Sequence, residues 1–357
     1  MTTKKVLVCG FLAVILALAF TACNENNNDG PVSNLNKWTA ITNNTFGADD
    51  SINAIACGNE GGDGYILVAG GADGKMAYSW DGIEWTAVED STFYNTSTSY
   101  GYAINAIAYG SDGDVVNRFV AVGGSGKMAY SDDGITWTAV EDSTFGTSFN
   151  TIYAIAYGGG KFVAGGANGE MAYSDDGVTW TAVEDRTIWE YTDNGSTNNA
   201  HIYAIAYGNN KWVAGGTYGK MAFSADGVTW TAVSSPFPKD MFTIIQGIVY
   251  GGGKFVAVSS DPEHNIAYSA NGENWTAVPL TSSNIHGGIV DIAYGYNRFV
   301  AAYGEGIVYS TNGISWTYVL VKIFSNTVIN AVAYDGNNAF IAVGGQGKMA
   351  YAMWLAK

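Results

Sequence analysis

Three Glu-Asp pairs, Glu89-Asp90, Glu141-Asp142 and Glu184-Asp185, are the residues of this 357-residue chain whose type and proximity could support acid-base chemistry. Two carboxylates held across a cleft suffice to hydrolyse a glycosidic bond, one as acid and the other as base or nucleophile. All three pairs follow the same repeated Trp-Thr-Ala-Val segment, a recurrence that predicts a solvated rim rather than a cleft. Metal chemistry has less to work with, because His201, His264 and His286 lack the paired spacing of a metal site. The Asp/Gly turns at Gly61-Gly62-Asp63-Gly64 and Asp112-Gly113-Asp114 lack the full calcium-loop pattern and read as ordinary turns. No phosphate-cradling glycine loop is present, so neither a metal nor a cofactor is expected. Cys57 occupies the place that Tyr109, Tyr157 and Tyr207 hold in later repeats, which predicts a buried core thiol rather than a nucleophile.

The elements that must position these groups are written as a repeat. A Trp-Thr segment occurs seven times, at Trp38, Trp85, Trp137, Trp180, Trp230, Trp275 and Trp316, and an aromatic strand also seven times, at Tyr78, Tyr130, Tyr173, Phe223, Tyr268, Tyr309 and Tyr351. A third series reads INAIAC at Ile52, INAIAY at Ile104, IYAIAY at Ile152 and Ile202, IQGIVY at Ile245, IVDIAY at Ile289 and INAVAY at Ile329, with 40 to 52 residues between copies. Short β-rich units at this period stack to bury faces that none can bury alone, which predicts an all-β propeller. Residues 152 to 183 show four strands, IYAIAYG, KFVAGG, EMAYS and TWTAV, separated by Gly158-Gly159-Gly160, Asn168-Gly169 and Asp176-Gly177. Apolar residues occupy both strand faces, as expected of sheets covered on both sides. The last repeat stops at Lys357 without its Trp-Thr strand, and residues 36 to 41 (NKWTAI) supply one. The expectation is a seven-bladed propeller over residues 36–357, its antiparallel four-stranded blades closed into a ring by the N-terminal strand, which leaves no open seam.

The turn before each tryptophan reads SWDGIEW, SDDGITW, SDDGVTW, SADGVTW, SANGENW and STNGISW, beginning at Ser79, Ser131, Ser174, Ser224, Ser269 and Ser310. It resembles the Asp-box of sialidase-like propellers, the bacterial-neuraminidase repeat Ser-x-Asp-x-Gly-x-Thr-Trp, although it is one residue shorter between Ser and Gly. The resemblance implies that Asp81, Asp133, Asp176, Asp226, Asn271 and Asn312 are turn residues away from any active face, a role their chemistry suits: Asp or Asn before Gly tolerates positive φ and bonds nearby backbone N–H groups. Sialidases also need three clustered arginines. Of the three here, Arg118 and Arg298 begin second strands where Lys161, Lys211 and Lys254 stand in other repeats, and only Arg186 lies in a loop between blades. Sialidase activity is therefore not expected.

Function is expected on the face where insertions accumulate. The connections between blades vary from 9 residues (Leu320 to Val328) to 18 (Glu184 to His201), and in an antiparallel blade they share a face with the second-to-third turns. They carry Tyr94, Tyr100, Tyr102, Phe149, Trp189, Tyr191, Arg186 and His286, which become the candidate binding residues, with Trp189 and Tyr191 expected to be exposed. Two classes of function remain open: a non-catalytic module binding a protein or glycan, and a glycan hydrolase using loop carboxylates on the same face. Asp-box propellers also serve as assembly factors for envelope or membrane complexes, a variant of the first class.

The N-terminus supplies an address. Residues 1–22 combine Lys4 and Lys5 with an apolar run from Val6 to Phe20, which reads as an export signal. Phe20-Thr21-Ala22-Cys23 resembles the bacterial lipobox, with Phe20 where Leu is usual; the alternative is an ordinary signal peptide cleaved nearby. Lipidation at Cys23, a polar tether over residues 23–35 and a lipid-anchored monomer at the bacterial cell envelope are the expectations. The full chain carries a formal charge of −16, and residues 23 to 357 carry 14 basic against 32 acidic residues, or −18. Such a surface repels nucleic acid and anionic lipid, leaving the lipid as the only membrane contact. With Cys9 removed and Cys23 lipidated, Cys57 has no partner for a disulfide.

Overall fold

The computed structural model describes residues 37–353, apart from 43, 60–63, 96–99, 112–116, 147–149, 194, 264, 279–287 and 320–322. The expected signal, the tether and Cys23 lie outside the described residues, as do Phe149, His264 and His286. The chain forms seven four-stranded antiparallel sheets. Blade one comprises Ile52–Asn59, Tyr65–Gly71, Met76–Ser79 and Thr86–Ala87, from the axis outward, and blades two to six repeat this order. In blade seven Ile329–Tyr334, Ala339–Gly344 and Met349–Met353 are completed by the N-terminal Thr39–Ile41. Thr39 pairs with Tyr351, Ala40 with Ala350 and Ile41 with Met349, so the ring closes as the offset between the repeat series predicts. Each innermost strand contacts the innermost strands of both neighbours, including blade seven against blade one.

The burial of the innermost strands follows from this packing. In Ile152–Gly158 every residue is buried except Tyr153, because blades three and four cover both sheet faces. Each innermost strand carries a bulge between its first and third residues, as between Ile52 and Ala54 and between Ile152 and Ala154. The second residue drops out of the ladder there, and a bulge of this kind redirects its side chain.

The turns also follow the sequence, with one correction. Gly158 pairs with Lys161, so Gly159-Gly160, at φ +55° and +76°, form the expected two-residue hairpin. The Asp-Gly turns are wider than a two-residue hairpin: Ser224 pairs with Trp230 across residues 225–229. Their N–H groups are satisfied by side chains rather than by cross-strand pairing, and the outer strand shortens to two residues, Thr181–Ala182 in blade three. The paired glycines ending the second strands have a local cause. A Cβ on Gly166 would stand 2.4 Å from the Thr151 carbonyl oxygen, whose bond from Ala167 N, 2.8 Å, holds the second-to-third turn beside the entry to the innermost strand. Both kinds of connection therefore meet on one face.

Candidate functional site

The four Asp-Gly and two Asn-Gly turns are built for stability. In blade two the Asp133 carboxylate accepts from Ile135 N at 2.8 Å and Thr136 N at 2.7 Å, Ser131 Oγ accepts from Gly134 N at 2.8 Å, and Trp137 Nε1 donates to the Gly134 carbonyl at 3.3 Å. Asn271 and Asn312 accept the same pair of N–H bonds through Oδ1. Burial opposes ionisation of Asp81, Asp133, Asp176 and Asp226, but the backbone N–H bonds and the serine hydroxyl outweigh it and hold all four below the ordinary carboxylate range. In each, one carboxylate oxygen takes all three of these bonds, so the acid serves the turn.

The Glu-Asp pairs are exposed on the rim. Asp90, Asp142 and Asp185 accept from the N–H two residues on, at 2.8, 2.9 and 2.9 Å, and so start the loops between blades.

The loop aromatics divide into plugs and exposed groups, and the expectation that Trp189 and Tyr191 are both exposed is corrected. Trp189 is 1% exposed, not a surface anchor. Its Cβ lies against Gly169 of the preceding second-to-third turn, as Phe93 lies against Gly74 and Phe145 against Gly126, so all three fill the same gap between blades. Tyr191 is half-buried and stacks on Tyr218 at 3.8 Å between ring centroids. Tyr94 and Tyr100 are 49% and 59% exposed; Tyr102 is half-buried, edge-on to Tyr100 at 5.7 Å, with Lys127 Nζ 5.3 Å above its ring. Arg186 pairs with Glu170 at 3.0 Å. Burial raises the Glu170 carboxyl although Arg186 opposes the shift. The candidates thus form separate groups, around Tyr100 between blades one and two and around Tyr191 between blades three and four.

Two concavities open on this face: a smaller one at the rim, lined by Lys127, Glu141 and Asp142, and one on the axis whose lining comes from strands. A cavity of about 310 Å³ is walled by the bulged second residues Asn53, Asn105, Tyr153, Tyr203, Gln246 and Asn330, with Asp291 one residue beyond Val290. Tyr153 and Tyr203, from adjacent blades, stack at 4.4 Å with 15° between planes. His201 stands edge-on to both, and its Nδ1 accepts from Asn168 N at 2.9 Å, which leaves the proton on Nε2; burial lowers its pKa. Burial, with Tyr153 beside it, pushes the Tyr203 phenol up to about 12. The amides tie the ring together: Asn53 Nδ2 donates to Ile104 O at 3.2 Å, Asn105 Nδ2 to Ile152 O at 2.9 Å and Asn330 Nδ2 to Ile52 O at 3.0 Å. Asp291 is 7% exposed, and its Oδ2 accepts from Val332 N at 2.8 Å. Burial holds its carboxyl up to about 7 against the N–H bonds from Val332 and Ile292. Among the described lining residues it is the one carboxylate, so the pair of acids a glycosidase uses is not assembled here. Sequence reasoning passed over this ring. Its signal was the second letter of INAIAY, IYAIAY, IQGIVY and IVDIAY, which changes among amide, phenol and alkyl while the strand around it stays apolar.

No protein-family model and no curated protein matches the chain. Among solved structures it is similar to a catalytically inactive virginiamycin B lyase from Staphylococcus aureus with quinupristin, at 13% identity over 89% of this chain and 99% of that one, TM-score 0.68. It is also similar to YCF48 bound to D1 peptide, at 15% identity over 89% and 97%, TM-score 0.63. A third such structure is the GH74 xyloglucanase from Xanthomonas campestris, at 15% identity over 88% of this chain and 53% of that one, TM-score 0.60. A lyase, a peptide complex and a glycan hydrolase at this distance share an architecture with the chain, and the architecture alone assigns none of their functions to it.

Proposed function

We propose that this chain is a non-catalytic binding propeller, exported and held at the bacterial cell envelope by a lipid on Cys23, that engages a protein or glycan partner through its loop-rich face. One observation carries the reading: the sevenfold pattern gives way most on one face, where the longest and most variable loops surround a ring of variable strand residues at the mouth of a cavity. Repeat scaffolds hold structural positions constant and vary the positions that meet a partner. The peptide seen on YCF48 gives a precedent for partner binding on this architecture. The proposed test is a glycan array and an envelope-protein pull-down with the wild-type chain, a Tyr153→Ala/Tyr203→Ala variant and an Asp133→Ala variant, with a hydrolysis assay on any glycan retained. Binding lost in the cavity variant and kept in the turn variant supports the reading. Turnover abolished by Asp291→Asn or Glu141→Gln would replace it with the hydrolase.

A further inference from the structure

One residue at the cavity is not required by the repeat. At the third position of the innermost strand, blades one to four and blade seven carry Ala54, Ala106, Ala154, Ala204 and Ala331, and blade five carries Gly247. Blade six alone carries a carboxylate, Asp291, buried at the junction with blade seven. The same strand packs in the same way in all seven blades, and six of them do so with a methyl group or less. The fold therefore does not demand the acid, and a buried carboxylate with no cation beside it among the described residues is the kind of group that a ligand completes.

The polarity of the surrounding ring says which ligand. A backbone carbonyl can only accept, so the bonds from Asn105 Nδ2 to Ile152 O and from Asn330 Nδ2 to Ile52 O fix which end of each amide is which and leave Oδ1 as an acceptor, while Asn330 gives its second N–H to Ser51 Oγ. Asn53 likewise gives one N–H to the next blade, and its Oδ1 accepts from Ser51 Oγ. The described lining contains no lysine or arginine, and the chain as a whole carries −16. By the order of blades, the stacked Tyr153 and Tyr203 of blades three and four stand across the axis from the junction of blades six and seven. Acceptors and a carboxylate on one side, with aromatic rings on the other, suit a slender, donor-rich cation: a guanidinium offers five N–H groups to oxygen and a flat face to tyrosine.

We infer that the cavity is a specificity pocket for one arginine or lysine side chain presented by a partner protein, with Asp291 as its counter-ion. This rests on the binding role of the loop-rich face and narrows it to a protein with an exposed cationic residue. The full-length chain in detergent would be titrated with Nα-acetyl-arginine methylamide and with its neutral near-isostere, Nα-acetyl-citrulline methylamide, by calorimetry or chemical-shift mapping. The expected result is at least a tenfold preference for the arginine probe, with shifts at Tyr153 and Tyr203. Asp291→Ala, which restores the residue of five other blades, and Asp291→Asn, which keeps an acceptor for Val332 N, are both expected to remove the preference. Equal affinity for the two probes, no binding of either, or a preference that survives both substitutions would overturn the inference. So would a glycan that binds the wild type and the Asp291→Ala variant alike. The wider reading would survive those results if a partner still attached through the loop-rich face, and would fail only if none did.

Discussion

Removing the N-terminal strand tests the closure of the ring, and its cost can be worked from the contacts. Residues 38–41 contribute the buried Ile41, the half-buried Trp38 and three register pairs with the strand Met349–Met353. Burying an isoleucine stabilises by about 2 kcal/mol, and a half-covered tryptophan by about 1 kcal/mol. Some three ladder bonds add about 1 kcal/mol each, for a gross loss of roughly 6 kcal/mol. Freeing four residues returns about 1 kcal/mol of chain entropy each, roughly 4 kcal/mol in all. The net cost is about 2 kcal/mol, which lowers the melting temperature of a domain this size by about 5 °C. Two truncated chains, beginning at residue 34 and at residue 42, would be compared by scanning calorimetry and light scattering. The shorter is expected to melt lower and to self-associate with time, because the edge of Met349–Met353 then lies open. Equal melting temperatures and equal scattering would refute closure by this strand.

Trp189→Ala empties an inter-blade gap and is expected to cost about 3–5 kcal/mol in chemical denaturation, whereas Trp189→Phe, which installs the residue of the equivalent loops, costs about 1 kcal/mol. Asp133→Ala removes the acceptor for two backbone N–H groups and is expected to cost about 1 kcal/mol at pH 7. Because the folded carboxyl sits below its ordinary value, that difference holds above about pH 4 and disappears as pH falls through the folded pKa, which parallel urea titrations at pH 7 and pH 2 would show. The Asp291 shift has the opposite sign: the carboxyl is raised from 3.8 to about 7, so its cost to the fold is absent below pH 3.8, grows as pH rises, and is complete above pH 7. That cost has an upper bound of roughly 4 kcal/mol, so Asp291→Ala is expected to melt above wild type at pH 8 and slightly below it at pH 4, where only the bond to Val332 N is lost. For the anchor, Cys23→Ala is expected to move the protein into the aqueous phase of a detergent extraction that retains the wild type.

Architecture was legible in this chain because each blade states the same physical requirement again. The offset between the Trp-Thr and aromatic series announced that Thr39–Ile41 completes the last blade, and Asp or Asn before Gly announced turns that consume their own carboxylates. Trp189 was misread because its loop reads RTIW where two others read STF. The extra residue hid an equivalence with Phe93 and Phe145 that only the contact with Gly169 reveals. The axial ring was missed for a different reason. A bulge that turns Tyr153, Tyr203 and three asparagines toward the axis leaves no mark in hydrophobic periodicity, and Asp291 reads as one substitution in a strand until blades six and seven close around it. Loop length singled out the face that also carries the axial cavity, but that cavity is lined by strand residues.

The central claim, that this chain meets its partner through the loop-rich face, is open to one direct measurement. A photoreactive phenylalanine analogue would be installed in the cell at Tyr100, 59% exposed among the loops, and separately at Ile314, 42% exposed on the opposite, turn-bearing face. After irradiation, covalent adducts would be sought by mass. Adducts from position 100 and none from position 314 are the predicted result. Adducts from position 314 alone would place the partner on the turn-bearing face and contradict the account.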